Sequence, residues 1–112
     1  MKLNDYQTQA LRTRGDANMP ATDRLLLSAL GLGGESGEYV DEIKKHVFHG
    51  KPWDHERLAK ELGDVLWYLA YAADINGLTL SQLAEMNLAK LRKRYPEGFT
   101  EAGSAARKDV IS

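Results

Sequence analysis

The stretch Gly31-Leu32-Gly33-Gly34-Glu35-Ser36-Gly37-Glu38 decides how this chain folds. It lies inside a proline-free segment that runs from Thr22 or Asp23 to about Phe48 or His49. Leucines crowd the first half (Leu25, Leu26, Leu27, Leu30, Leu32), and Tyr39, Val40, Ile43 and Val47 resume an apolar stripe at helical spacing afterwards. Each glycine costs a helix interior roughly 1 kcal/mol against alanine. Gly31, Gly33, Gly34 and Gly37 therefore either break the segment into two shorter helices or serve a purpose that needs bare backbone. Read as one helix, the segment spans about 40 Å at 1.5 Å per residue. Its small residues then leave room for ions and a bulky anion beside Glu35 and Glu38.

A second long segment, 55 to about 76, follows the stop at Gly50-Lys51-Pro52, with Asp54 as a good N-cap. With Glu61 set at 0° and 100° per residue, Leu58, Leu62, Val65, Leu66, Leu69, Ala72 and Ala73 fall between about 20° and 140°, one core stripe. Asp64 falls near −60° and Tyr68 near −20°, at about one turn's separation, so the acidic residues sit at the edge of the buried stripe. Glu35/Glu38 and Glu61/Asp64 are both pairs three residues apart, which share a helix face. Four carboxylates that meet across a helix pair repel each other unless a cation lies between them. All-oxygen ligands suit a hard divalent ion such as Mg²⁺ or Mn²⁺.

The flanking segments are also helical. Residues 3–14 carry Leu3, Tyr6, Ala10 and Leu11, with Asn4 or Asp5 able to cap the start, and Gly15 to Pro20 is turn-forming. Thr79-Leu80-Ser81-Gln82 reads as a capping box for a helix over 80–94, stopped by Pro96 and Gly98. The stretch from Thr100 to Ser112 is small and polar, and is expected to be loose or docked through Phe99. No strand, internal repeat or low-complexity segment is needed anywhere.

The bulk numbers exclude several classes. The 112 residues fit one domain and their formal net charge is −1, which argues against a nucleic-acid or membrane-surface binder. The absence of cysteine rules out disulfides, thiolate nucleophiles and zinc–sulfur sites. No apolar run approaches the ~20 residues of a membrane span, and the first residues lack the apolar core of a signal peptide. A cytoplasmic, soluble domain is the expectation. No P-loop, G-x-G-x-x-G or G-x-S-x-G occurs, and the Glu-x-x-His of di-iron bundles is missing.

Other constellations stay open on spacing alone. Asn87, Lys90 and Arg94 share one helix face, fit either to hold phosphate or to form a solvated basic end favoured by the helix dipole. Lys44 and Lys45 are similarly ambiguous. His46 and His49 fit a role at their helix end. Trp67, Tyr68 and Tyr71 suit either stacking on a base or packing, with Trp67 read as core or subunit interface.

The segments 31–38, Ile43-Lys44-Lys45-His46, 60–70, Asn87-x-x-Lys90-Leu91 and Arg94-Tyr95-Pro96-x-Gly98-Phe99 together resemble the MazG-like, all-α nucleoside triphosphate pyrophosphohydrolases. The resemblance covers roughly residues 3–100, taken as one domain over 1–100 with a polar tail over 101–112. It implies an all-α, four-helix-type bundle completed by dimerisation, as a homodimer or homotetramer. It implies hydrolysis of (deoxy)nucleoside triphosphates to NMP and pyrophosphate, with Glu35, Glu38, Glu61 and Asp64 holding Mg²⁺, for which Mn²⁺ is a possible substitute. Lys90, Arg94, Asn87 and Lys44 would clamp phosphates, and Tyr68 and Tyr95 would line the nucleotide pocket. Some relatives carry a glutamate where this chain has Gly34. If that glutamate is their general base, another group takes the role here, and Glu38 is the candidate. A non-catalytic helical dimer, or a hydrolase of a related modified nucleotide, is the alternative.

Overall fold

The computed structural model describes residues 1–107, and five α-helices follow one another in it: α1 (Leu3–Ala10), α2 (Ala21–Phe48), α3 (His55–Ile75), α4 (Leu80–Arg94) and α5 (Glu101–Ala106). A 3₁₀ turn, Leu11–Thr13, extends α1, so the expected helix over 3–14 is shorter and tighter at its end. Among the described residues no strand forms; Pro96 and Gly98 make one isolated bridge. No helix among them is long and apolar enough to cross a membrane.

All four central glycines lie within an unbroken α2 of 28 residues. Propensity is overridden here by packing, since α2 lies along α3 for much of its length. The turn between them uses His49 as C-cap and Gly50 at φ +68°, a left-handed position that glycine adopts without strain. Asp54 then caps α3 by accepting the Arg57 amide at 3.0 Å. The hairpin keeps one antiparallel register throughout. Tyr68 rests on Gly31, Asp64 meets Glu35, Arg57 pairs with Glu42, and Trp53 sets its ring edge against His46.

The core is small and lies at the far end of α3. Ala70, Ala73 and Leu80 form it, with Tyr6, Leu69, Leu78 and Leu83 packed around them. Gln7 is buried here and bridges three elements: its Nε2 donates to the carbonyls of Ala70 (3.1 Å) and Leu78 (3.2 Å), and its Oε1 accepts the Leu80 amide (2.9 Å). Asn4 does not cap its own helix, which starts at Lys2 without a side-chain bond. Instead its Oδ1 accepts the Ser81 amide at 3.0 Å, so α1 satisfies free amides of α4 alongside the Thr79–Gln82 capping box. Likewise α2 follows directly on Pro20, with no cap from Thr22 or Asp23.

The predicted core stripe on α3 needs correction. Leu62 and Leu66 stay 49% and 38% exposed, while Ala70 and Tyr71 are buried. The N-terminal arm, residues 3–20, packs on the second half of α3, whereas the first half has only α2 beside it. The open side of α2 is correspondingly apolar. Leu26, Leu30, Gly33, Gly37 and Val40, spaced by alternating steps of four and three, are all exposed, Leu30 and Val40 at 65% each. The radius of gyration is 17.2 Å, against about 13 Å for a compact chain of this length.

The expected loose tail is also corrected in part. Thr100 accepts the Gly103 amide at 2.9 Å and starts α5, while Phe99 stays largely exposed with its ring tilted against Tyr95. Residues 108–112 of that tail lie outside the described residues.

Candidate metal and nucleotide site

The register of the α2–α3 hairpin builds the site. Glu35 of α2 and Glu61 and Asp64 of α3 each present a carboxylate oxygen, and these oxygens lie within 4.8 Å of one another. Burial pushes the Glu35 carboxyl above its ordinary range, and the charges of Asp64, Glu61 and Glu38 push it further. Glu38, exposed and one turn along α2, belongs to this field but not to the group of three. The donor set fits a hard divalent ion. Glu35, Glu61 and Asp64 would hold such an ion through carboxylate oxygens, the ligand type that Mg²⁺ prefers.

Beside the carboxylates is a cleft lined by Glu35, Asp64, Trp67 and Tyr68. Its aromatic wall is held from behind. Trp67 Nε1 donates to the Ala10 carbonyl (3.0 Å) and to Thr13 Oγ1 (2.9 Å), and its ring stacks on Tyr71 at 5.4 Å. Tyr71 donates its hydroxyl to Asp16 at 2.7 Å, and Arg14 joins Asp16 (2.8 Å) to Asp74 (2.7 Å). Arg14 and Tyr71 hold the Asp16 carboxyl far below the usual carboxylate range. Tyr6 of α1 packs against the core nearby, and burial, then the charge of Asp64, raise its phenol. Trp67 is thus a packing residue, as expected, with the N-terminal arm as its partner.

The basic residues are placed differently. Lys44 is exposed on α2, more than two turns past Glu35, and its charge acts on Asp41. Asn87 and Lys90 are exposed on α4, and Arg94 lies over the Tyr95 ring at 5.9 Å. Among the described residues the backbone of α4 approaches α1, α3 and α5 but not α2, so the stretch carrying Asn87, Lys90, Arg94 and Tyr95 does not run beside Glu35. Gly77, at φ +73°, makes the turn from α3 into α4, and the part of α4 packed on the core ends near Leu83. His46 does stabilise its helix end: Nδ1–H donates to the Lys51 carbonyl at 2.8 Å.

A family model described as the MazG nucleotide pyrophosphohydrolase domain matches residues 25–99. The chain belongs to the MazG family. It is also similar to the Gene 37 protein of Mycobacterium phage L5, at 31% identity over 109 residues that cover 90% of this chain and 95% of that protein. No solved structure matches. The MazG match takes in most of α2, all of α3 and α4, and every residue of the acidic group. It leaves out the arm that pins Trp67 and Tyr71. Sequence reading missed that arm's contribution, and missed Glu42, a buried carboxylate that accepts Lys51 Nζ at 2.6 Å and pairs with Arg57 Nε at 2.9 Å. Its spacing of one heptad from Glu35, matched by that of Arg57 and Asp64, was the available signal.

Proposed function

We propose that this MazG-family chain hydrolyses (deoxy)nucleoside triphosphates to the monophosphate and pyrophosphate, as a cytoplasmic housekeeper of the nucleotide pool. The observation that carries the reading is the meeting of Glu35, Glu61 and Asp64 beside an aromatic cleft. Water adds to the α-phosphorus, the bond from that phosphorus to the α–β bridging oxygen breaks, and pyrophosphate leaves. Mg²⁺, with Mn²⁺ as substitute, supplies charge neutralisation and water activation when bound. Glu35, Glu61 and Asp64 hold it, and Glu38, one turn away, completes the acidic field and is the candidate to take the proton of the water. Tyr68 offers the ring face against which a nucleoside lies.

The phosphate clamp is proposed to come from a second copy. Asn87, Lys90, Arg94 and Tyr95 sit on or just after a helix whose backbone does not approach α2 in its own chain, and Lys44 lies on the open side of the hairpin. The exposed seam of Leu26, Leu30, Gly33, Gly37 and Val40 supports a homodimer or homotetramer in which two hairpins close one bundle. The net charge of −1 favours no nucleic acid.

Incubation with a panel of ribo- and deoxynucleoside triphosphates plus Mg²⁺ tests the reading. Equal amounts of NMP and pyrophosphate are expected. Nucleoside diphosphate with orthophosphate would overturn the cleavage site. No product from any nucleotide, modified ones included, would leave a non-catalytic helical assembly.

A further inference from the structure

We infer that Gly31 is a positioning residue for nucleotide selection: its bare α-carbon seats the ring of Tyr68, and that seat sets the width of the cleft beside Glu35 and Asp64. The inference rests on the proposed function above.

A Cβ on Gly31 would stand 2.0 Å from Tyr68 Cε1 and 2.4 Å from both Cδ1 and Cζ, inside the body of the ring. The other glycines of the α2 run, Gly33, Gly34 and Gly37, would meet nothing within 4 Å. Gly31 is therefore the one glycine of the run whose missing side chain makes room for a neighbour in this fold. The contact lies one turn from the carboxylates on both helices, since Glu35 follows Gly31 by four residues and Tyr68 follows Asp64 by four.

The ring has little freedom to retreat. Trp67 meets its edge at 4.9 Å and 77°, and Tyr71 at 6.4 Å and 90°. Both neighbours are fixed, Trp67 by its two hydrogen bonds to the arm and Tyr71 by burial and its bond to Asp16. The remaining way out is the cleft that Tyr68 shares with Glu35 and Asp64. A methyl group at position 31 therefore pushes the ring into the space a nucleoside would occupy. Alanine is otherwise the better helix former, so only this contact opposes the substitution in a single chain.

Steady-state kinetics of Gly31→Ala, Tyr68→Ala and the double variant, with Mg²⁺ and both purine and pyrimidine triphosphates, test the inference. Gly31→Ala should raise KM about tenfold for purine nucleotides and less for pyrimidines, with kcat changed far less. In the Tyr68→Ala background the same substitution should change KM by no more than about twofold. A merely structural role would lower active enzyme without separating the bases. Unchanged KM in Gly31→Ala, or an equal cost in both backgrounds, overturns the inference while an active wild type keeps the function standing. A wild type that turns over no nucleotide removes the function and this inference together. Should Gly31→Ala fail to fold, Gly31→Ala/Tyr68→Leu is compared with Tyr68→Leu. Matching KM profiles support the seat, and a further rise overturns it.

Discussion

Arg57 Nε lies 2.9 Å from Glu42 Oε1, joining the first turn of α3 to α2 one heptad past Glu35. Seven residues on from Arg57 stands Asp64, so the ion pair and the acidic group are two marks on the same pair of rods. Glu42 is buried and pairs with Lys51 as well, while Lys51 takes part in the turn through its carbonyl bond to His46. The clasp fixes how far α3 can slide along α2, and with it the spacing of the carboxylates.

Glu42→Ala leaves Lys51 and Arg57 beside one another without their shared counter-charge. The melting temperature should fall, by roughly 5 °C, and the rise on adding Mn²⁺ should shrink. Thermal denaturation with and without the ion checks both. An unchanged melting curve would show that the clasp is ornamental.

Acid should unfold the protein for an identifiable reason. The carboxyls of Asp16 and Glu42 are both held below their ordinary range, Asp16 first by Arg14 and Tyr71, Glu42 first by Lys51. The unfolded chain then binds protons more readily, so their stabilisation is present above the ordinary carboxylate values of about 4 and is lost as pH falls through the folded values. Asp16→Asn should accordingly lower the melting temperature at pH 7, and lower it less as the solution is acidified below about pH 4, because the folded carboxyl stays ionised well below that point. A drop of equal size throughout would contradict the assignment.

Glu35 has the opposite sign. Its raised carboxyl is a contribution present below the ordinary glutamate value and lost as pH rises through the raised one, because burial, and then the charges of Asp64 and Glu61, disfavour the ionised form. Without metal, Glu35→Gln should therefore melt higher than wild type at pH 7. With Mn²⁺ the order should reverse. Glu38→Gln and Asp64→Asn should abolish pyrophosphate release, by at least about 100-fold, with the helical circular dichroism spectrum intact. Wild-type rates from either would remove it from the site.

Gln7→Ala removes two donors and one acceptor from buried or part-buried backbone partners on Ala70, Leu78 and Leu80. At about 1 kcal/mol for each unmade bond, the loss should be about 3 kcal/mol. Urea denaturation measures it, and a loss under ~1 kcal/mol would mean water replaces the side chain.

If two copies pair through the open α2 seam as proposed, Leu30→Glu should separate them, since it places a charge in the middle of that seam. Light scattering on the eluting peak would report the monomer mass, and turnover should fall with it if α4 of one copy serves the carboxylates of another. A wild type that already elutes as a monomer would contradict the shared site.

What was legible in the chain was whatever repeats locally. The Thr79–Gln82 box, the Asp54 cap and the three-residue spacing of Glu61 and Asp64 depend on one turn of helix, and each sits where the spacing put it. What escaped depends on distant partners. Asn4 looks like a cap for its own helix and serves α4 instead. Leu66 outranks Ala70 in hydrophobicity, yet the arm covers Ala70 and leaves Leu66 open. The wheel of α4 groups Asn87, Lys90 and Arg94 on one side, but carries no information about which helix that side meets. The α5 helix was overlooked because Glu101 to Ala106 is small and polar, although Thr100 had the chemistry of a cap.

The glycine-bearing middle of α2 has a mechanical consequence. Gly31, Gly33, Gly34 and Gly37 together forgo about 4 kcal/mol of intrinsic helicity relative to alanine, so the rod is expected to be most pliant where Glu35 projects from it. Deuterium uptake by the backbone amides should then be fastest at mid-length and slower towards the clasp at Glu42, reversing the usual fraying from the tips. An ion shared with the stiffer α3 would splint that weak span, so catalytic readiness and protection from isotope exchange should rise together as metal is added.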